Sequence, residues 1–147
     1  MVFAGMPGLH RLLYFSRTAL SGLDLDLELG RIVRDSIHNN RQAAVTGMLL
    51  SHDGWFVQVL EGPGEAVSST FRRIQTDRRH SDATRVSWGP VPSRLFADWD
   101  MCARSLNDGD DDILTDIGRF DPRGLAADQL LRLLSSVADQ QRAVLAA

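Results

Sequence analysis

Short apolar runs alternate with longer amphipathic stretches along most of the chain. Residues 9–16 form an apolar and aromatic run between a Pro-Gly pair and a polar stretch, which predicts a first strand. The next apolar residues recur at helical spacing and predict a helix that begins at Asp24 or Asp26. This helix is expected to end at Asn39-Asn40. Its apolar face comprises Leu25, Leu29, Ile32, Val33 and Ile37.

Four strand-like segments follow at two places in the chain. The runs 44–50 and 55–61 flank a turn with the Asp-Gly pair 53–54, which is a strong signal for an antiparallel hairpin. Two more strands are predicted at residues 84–88 and 97–103. The hairpin and the later strands are separated by a second amphipathic stretch.

That stretch predicts a second helix. Pro63 suits its first turn, the charge of Glu65 suits the positive end of its dipole, and it is expected to end near Arg79-His80. The element order is therefore β-α-β-β-α-β with one further strand. This order is typical of an α+β, ferredoxin-like sandwich in which two helices cover one face of a mixed sheet.

The composition changes after Arg104. An aspartate-rich stretch covers residues 107–112, and an amphipathic helix ends the chain. We predict a folded domain over residues 8–104 and a C-terminal helical extension over residues 105–147. The apolar stripe of the last helix contains Leu130, Leu131, Leu134, Val137, Ala138 and Leu145. Such a stripe packs against another surface, so the extension is an appendage or an interface.

Composition and charge narrow the possible functions. A chain of 147 residues is expected to form one core, and its net charge of −3 provides no basic surface for direct binding to nucleic acid. No apolar run approaches the ~18 residues of a membrane span, and the N-terminus lacks a secretory signal, so we expect a cytoplasmic protein. One cysteine and four histidines without paired ligand spacing do not predict a metal site. Motifs of nucleophilic or phosphate-binding enzymes are also missing, and we do not expect an enzyme.

Two polar residues fall at positions expected to face the core. Gln58 shares one face of a central strand with Phe56 and Leu60, and an unpaired amide buried there costs ~1–3 kcal/mol. Tyr14, the only tyrosine, shares its strand face with Ser16. A glutamine that faces solvent or bonds to the backbone, and an ordinary core tyrosine, are the alternatives.

More polar residues cluster near the predicted helix ends. A left-handed cap explains one residue of the pair Asn39-Asn40 but not both. Two amides beside the strand of Gln58 can instead bind the carbonyl and imide edge of a flat heterocycle. Arg73 and Asp77 lie four residues apart on the predicted second helix, where a surface ion pair worth ~0.3–0.5 kcal/mol is the alternative to a binding role.

Five stretches in a fixed order carry a resemblance to a known family. They are L-H-R-L-L-Y-F-S (9–16), N-N-R-Q-A-A-V-T-G (39–47), F-V-Q-V-L-E-G-P (56–63), R-R-I-Q-T-D-R-R-H (72–80) and R-L-F-A-D-W-D-M (94–101). Over residues 9–103 the chain resembles the BLUF family of blue-light sensors that use FAD. The resemblance implies the same ferredoxin-like fold, with the flavin ring between the two helices.

The resemblance also implies residue roles. Tyr14 matches the donor of an electron and a proton to the excited flavin, Gln58 matches the amide between that phenol and flavin N5 and O4, and Asn40 matches the residue that holds the C4 carbonyl and N3 edge. Further polar positions near the flavin are matched by Asn39, Arg73 and Asp77 and, more weakly, by Ser16 and His80. Trp99 and Met101 are core residues by composition alone. The resemblance gives them the role of passing the change outward and leaves open which of them faces the flavin.

The implied cofactor is FAD, with FMN or riboflavin as possible substitutes. The implied partner is a separate downstream signalling protein, and a homo-oligomer is expected. Two alternatives stay open at this point: a flavin-binding enzyme that works without light, and a ferredoxin-like interaction module without a cofactor.

Overall fold

The computed structural model describes residues 8–18, 20, 22–99, 102–105 and 120–146. Its strands and helices, in chain order, are β1 (Leu9–Arg17), α1 (Gly22–Ala43), β2 (Thr46–His52), β3 (Trp55–Pro63), α2 (Gly64–Gln75), β4 (Ser81–Pro90), β5 (Cys102–Ser105) and α3 (Ala127–Ala146). A 3-10 turn at Pro122–Gly124 precedes α3. The strands form one five-stranded sheet in the order β4-β1-β3-β2-β5.

The sheet is mixed. β1 pairs antiparallel with both β3 and β4, β2 pairs antiparallel with β3, and β5 runs parallel to β2. Asp53 and Gly54 join β2 to β3 with φ angles of 54° and 83°, the left-handed values that a two-residue hairpin turn requires. The predicted ferredoxin-like order and the predicted hairpin are therefore confirmed.

Each face of the sheet has its own hydrophobic core. α1 and α2 cover the face that carries Leu12, Tyr14, Leu49, Phe56 and Leu60. α3 covers the opposite face, where Leu13, Met48, Leu50, Val57 and Val59 pack against Leu130, Leu133, Leu134 and Val137. Because β3 is covered on both sides, all of its residues except Pro63 are buried.

The apolar stripe of α3 is shorter than predicted. Leu130, Leu134, Val137 and Ala138 are buried against the sheet, and Leu131 is partly buried. Leu145 does not pack against the sheet, since 65% of this side chain is exposed. The buried apolar residues of α3 end at Ala138, and the last two turns extend beyond this contact.

The predicted helix ends also differ from the observed ones. α1 continues to Ala43, and the left-handed residue after it is Ala44, with a φ of 59°, so the capping interpretation of Asn39-Asn40 is wrong. The Asn40 carbonyl accepts a hydrogen bond from Val45 N at 2.9 Å, which keeps Asn40 inside the terminal hydrogen-bonding pattern of the helix. α2 ends at Gln75 rather than near Arg79-His80.

The predicted last strand is displaced along the chain. β5 begins at Cys102, whereas residues 97–99 lie in a turn in which Trp99 N donates to Phe96 O at 3.2 Å. The loop before this turn is held against β3 by hydrogen bonds from Leu95 N and Phe96 N to the Glu61 carboxylate. Trp99 still contacts the sheet, since its carbonyl accepts from Gly47 N at 3.0 Å. Met101 lies outside the described residues.

Candidate functional site

A cleft of about 520 Å³ opens between α1 and α2, above β3. Its volume lies within the ~300–1,000 Å³ that is usual for sites of small ligands. α1 contributes Asn39 and Asn40, α2 contributes Thr70 and Arg73, and Gln58 lies at the base. A smaller cavity of about 60 Å³, lined by Tyr14, Phe56, Gln58, Asp77 and His80 among others, adjoins the cleft and shares Gln58 with it.

Tyr14 and Gln58 form a buried polar contact beside the smaller cavity, and Gln58 also lines the cleft. They lie directly opposite each other on β1 and β3, and the Tyr14 hydroxyl donates a hydrogen bond to Gln58 Oε1. Only 2% of Tyr14 and 3% of Gln58 is exposed. Burial raises the pKa of Tyr14 far above its ordinary value, and the nearby Asp77 carboxylate raises it further, so the phenol keeps its proton.

The predicted site residues Ser16 and His80 meet beside this pair. His80 Nε2 lies 2.7 Å from the carbonyl oxygen of Ile74, and His80 Nδ1 lies 2.6 Å from Ser16 Oγ. Since a carbonyl only accepts, Nε2 carries the hydrogen, and in the neutral ring Nδ1 accepts from the Ser16 hydroxyl. These bonds tie β1 to the end of α2 and fix the imidazole ring 6.3 Å from the ring of Tyr14.

The two asparagines line the cleft from the last turns of α1. Asn40 is 2% exposed, and Asn39 is half-buried. An amide offers both donors and acceptors, so this wall of the cleft can bind a ligand edge on which donors and acceptors alternate. Asn40, Gln58 and Tyr14 thus lie together on one side of the sheet, as the sequence predicts.

The alternative of an ion pair between Arg73 and Asp77 is wrong. Because α2 ends at Gln75, Asp77 lies in the following turn, where it accepts from Arg79 Nε at 2.9 Å. Hydrogen bonds from Arg79 hold the pKa of Asp77 below its ordinary value. Arg73 and Asp77 both line the cleft, but Arg73 donates to Thr70 Oγ1, at 3.4 Å.

Arg79 lines both cavities, and sequence reasoning missed it as a site residue. Its guanidinium also lies 3.6 Å from Glu28 and 3.5 Å from Asp35, so it joins the turn after α2 to α1 at the rim of the cleft. The spacing Asp77-x-Arg79 is compatible with an Asx turn, but the predicted helix end near Arg79-His80 placed both residues inside the helix. Arg79 N does donate to Asp77 Oδ1, at 2.9 Å.

Trp99 is not part of the cleft. Its ring is half-buried against the core on the α3 face of the sheet, opposite to the face that carries Tyr14 and Gln58. Among the described residues, the structure therefore separates Trp99 from the other predicted site residues. Met101, the second residue of the predicted pair, is outside them.

Comparison with known proteins identifies this arrangement. Residues 9–102 match the family model of the sensors of blue-light using FAD. The chain belongs to the BLUF family. Its α+β fold is that of a BLUF domain.

The chain matches short segments of much longer relatives. The chain is 41% identical, over 76 residues, to photoactivated adenylate cyclase subunit beta of Euglena gracilis. This match covers 51% of the chain and 9% of the relative, so the chain spans less than a tenth of that protein. Subunit alpha of the same organism is 38% identical over 96 residues, which are 65% of this chain and 9% of that protein.

Solved BLUF structures match the fold over most of the chain. The dark state structure of BlrB, a BLUF protein, has a TM-score of 0.77 and 31% identity and covers 90% of this chain and 99% of that one. The photo-activated state of BlsA has the same TM-score of 0.77 with 27% identity and covers 87% of this chain and 93% of that one.

The residues present fit a flavin ring. The cleft has amide groups at its base and on the α1 wall, with Leu60 and Ile74 as apolar surfaces for a flat ring. The described residues contain no group of His, Cys, Asp and Glu side chains able to hold a metal ion. In the same part of the chain, no helix is both long and apolar enough to cross a membrane.

Proposed function

We propose that this chain is a blue-light photoreceptor that holds FAD in the cleft between α1 and α2 and senses light through Tyr14 and Gln58. The observation that carries this proposal is the buried hydrogen bond between these two side chains, of which Gln58 lines the cleft and Tyr14 the adjoining cavity. The open cleft also favours a ligand-binding protein over an interaction module, which needs no space between its helices.

Asn39 and Asn40 are the residues we assign to the polar edge of the flavin ring, together with Gln58. Arg73 and Asp77 line the cleft farther out, where they are positioned to contact the rest of the cofactor. Ser16 and His80 are hydrogen-bonded to each other beside Tyr14, and we assign them the role of holding the side chains around Tyr14 in place. FAD is the form we propose, and FMN or riboflavin would carry the same ring into the site.

A bound flavin supplies the absorption of blue light and, once excited, a strong electron acceptor. Tyr14 is suited to give an electron and a proton because its phenol is buried and protonated and already points at an amide oxygen. Rotation of the Gln58 amide by half a turn would place its NH₂ group, a donor, against the phenol oxygen. The amide therefore has two hydrogen-bonded arrangements, as a switch requires.

Blue light tests this function directly. The purified chain should be yellow and should show a reversible red shift of its flavin absorption on illumination. Tyr14→Phe and Gln58→Leu should both stay yellow and lose the normal red shift, because each removes one partner of the switching hydrogen bond.

Gln75→Leu is the matched control, since Gln75 is an exposed glutamine at the end of α2 and should keep the red shift. A colourless wild-type preparation, or a yellow one that does not respond to light, would count against the proposed function. A normal red shift in either site variant would count against the assigned roles.

The output of the sensor is a second part of the proposal. The BLUF relatives include subunits of photoactivated adenylate cyclase, and similar structures include a bacterial light-regulated adenylyl cyclase, so BLUF modules occur together with effectors. We propose that residues 8–104 are the sensor, that residues 105–147 are its helical extension, and that the signal passes to a separate partner protein. In this proposal the chain is a cytoplasmic homo-oligomer and is not itself an enzyme.

A further inference from the structure

α3 is attached to the sheet differently at its two ends. The N-terminal end is anchored by apolar and aromatic contacts: Phe120 is 4% exposed and meets the ring of His52 edge-on at 5.5 Å. The guanidinium of Arg123 lies 5.1 Å from the centre of the Trp55 ring. The buried stripe Leu130–Ala138 continues this attachment, so the first half of α3 belongs to the core.

At the C-terminal end, Arg142 donates hydrogen bonds to the loop before β5, and the side-chain oxygen of Gln140 is buried. Arg142 Nε donates to Asp98 Oδ2 at 2.7 Å, and Arg142 Nη2 donates to the carbonyl of Leu95 at 3.3 Å. Its guanidinium also lies 5.9 Å from the centre of the Trp99 ring. Val144 and Leu145 are each 65% exposed, so apolar burial contributes little to holding this end of the helix.

The loop that receives Arg142, residues 91–99, is firmly bound to β3. Glu61 is completely buried, and its carboxylate accepts from Leu95 N and from Phe96 N at 2.8 Å, while Arg11 pairs with it at 2.7 Å. Charge-assisted hydrogen bonds of this kind are the strong ones. Arg94 adds a bond to the backbone carbonyl of Glu61 at 3.1 Å.

These contacts form a continuous connection from the switch to the end of α3. Glu61 lies three residues after Gln58 on β3 but on the opposite face of the sheet, the face that α3 covers. The hydrogen bonds of Glu61 in this connection are buried and strong. The ion pair of Arg142 is weak, because its partner Asp98 is 60% exposed. A small movement of β3 would therefore break the contacts of Arg142 before those of Glu61.

We propose that Arg142 is a clamp that light releases, so that the last two turns of α3, residues 139–146, detach from the loop when Gln58 changes its hydrogen bonds. The movement passes from β3 to the loop through the Glu61 carboxylate. This inference rests on the proposed light-sensing function for its stimulus, while the clamp itself rests on the contacts of Arg142.

Hydrogen–deuterium exchange of the flavin-loaded full chain, in the dark and under blue light, tests the clamp. In the wild type, light should speed exchange in residues 139–146 about two- to fivefold, the change expected when exposed ion pairs are lost, and should leave the buried half of α3 unchanged. Arg142→Gln and Asp98→Asn should show the faster exchange already in the dark. Arg132→Gln is the matched control, because Arg132 is 76% exposed on the same helix and pairs only with Asp128, at 3.8 Å.

The visible spectrum of each sample separates the two proposals. A normal red shift without any change in residues 139–146 would overturn the clamp and leave the photoreceptor intact. Dark exchange in Arg142→Gln equal to that of the wild type would also overturn the clamp, with or without a light response. A wild-type chain that binds flavin but shows no red shift would overturn the proposed function and, with it, release by light.

Discussion

The contact between Tyr14 and Gln58 joins two side chains that are costly to bury alone. Each is at most 3% exposed, and a buried polar group without a partner costs ~1–3 kcal/mol. The hydrogen bond between them gives the phenol and the amide oxygen a partner and so removes this cost for both groups. Burial raises the pKa of this phenol far above its ordinary value, because a phenolate would be desolvated and also close to the carboxylate of Asp77.

Alkaline titration should show this resistance. The folded chain holds Tyr14 in its neutral form, so this stabilisation is fully present below the unfolded pKa of about 10. As the pH rises above that value, the free energy of unfolding should fall by up to ~1.4 kcal/mol per pH unit, since only the unfolded chain releases the proton. Tyr14 is the only tyrosine, so the ultraviolet absorbance of tyrosinate reports on this one group.

We expect tyrosinate absorbance to appear only together with the loss of native circular dichroism. Tyr14→Phe lacks the group and should not show this part of the pH dependence. Ionisation close to pH 10 in a chain that is still folded would contradict the burial of the phenol.

Strand alternation is enough to predict which side chains face the side of the sheet that carries the cleft. Gln58 is expected in the core because it alternates with Phe56 and Leu60, and Tyr14 because it alternates with Leu12. Both expectations hold irrespective of small errors in strand ends. The partner of Asp77 could not be predicted in this way. The partner depends on whether α2 ends before or after Asp77. A helix that includes Asp77 favours Arg73 as its partner, whereas a helix that ends before Asp77 favours Arg79.

Among the elements, β3 approaches the connection between α1 and β2 very closely. A Cβ atom on Gly62 would lie 2.8 Å from the carbonyl oxygen of Ala44 and 3.2 Å from Cα of Val45. Both contacts are with backbone atoms, which cannot be moved aside by a change of side-chain rotamer. The same carbonyl accepts from Arg94 at 2.8 Å, so the end of α1, β3 and the loop before β5 are fixed at one point.

Gly62→Ala should therefore destabilise the fold, by about 1–3 kcal/mol, because the added methyl group forces backbone to move in a packed region. Gly89→Ala is the control: no atom lies within 4 Å of its added Cβ, and the change should stay within about 0.5 kcal/mol. Urea unfolding of both variants measures the difference. Equal stabilities for the two would mean that the connection between α1 and β2 yields easily.

Element ends were the least predictable feature of the fold, for a physical reason. Asparagine suits both a helix interior near its end and a left-handed cap, so Asn39-Asn40 alone could not show that α1 continues to Ala43. The end is fixed by contacts between distant segments, such as the approach of Gly62. The predicted start of β5 is also wrong. The conformation of the loop before it is set by hydrogen bonds to Glu61, which an apolar alternation does not reveal.

The two faces of the sheet have different roles. The face under α1 and α2 carries the cleft, and the face under α3 carries a continuous apolar core. The amphipathic stripe of the last helix predicted that it packs on a surface, but periodicity does not identify that surface. Only the fold shows that it is the second face of the sheet, directly behind Tyr14 and Gln58.

This division predicts that stability and light response can be changed separately. Leu134 is fully buried between α3 and the sheet, so Leu134→Ala should lower the free energy of unfolding by about 2–5 kcal/mol, the usual cost of such a cavity. The flavin spectrum and its red shift should persist below the unfolding transition, because the lost side chain lies on the opposite face from the cleft. Leu145→Ala, at a position that is 65% exposed, should change stability by less than about 0.5 kcal/mol. If both leucine variants unfold at the same urea concentration, α3 does not cover the sheet in solution, and the two-faced arrangement would lose its main support.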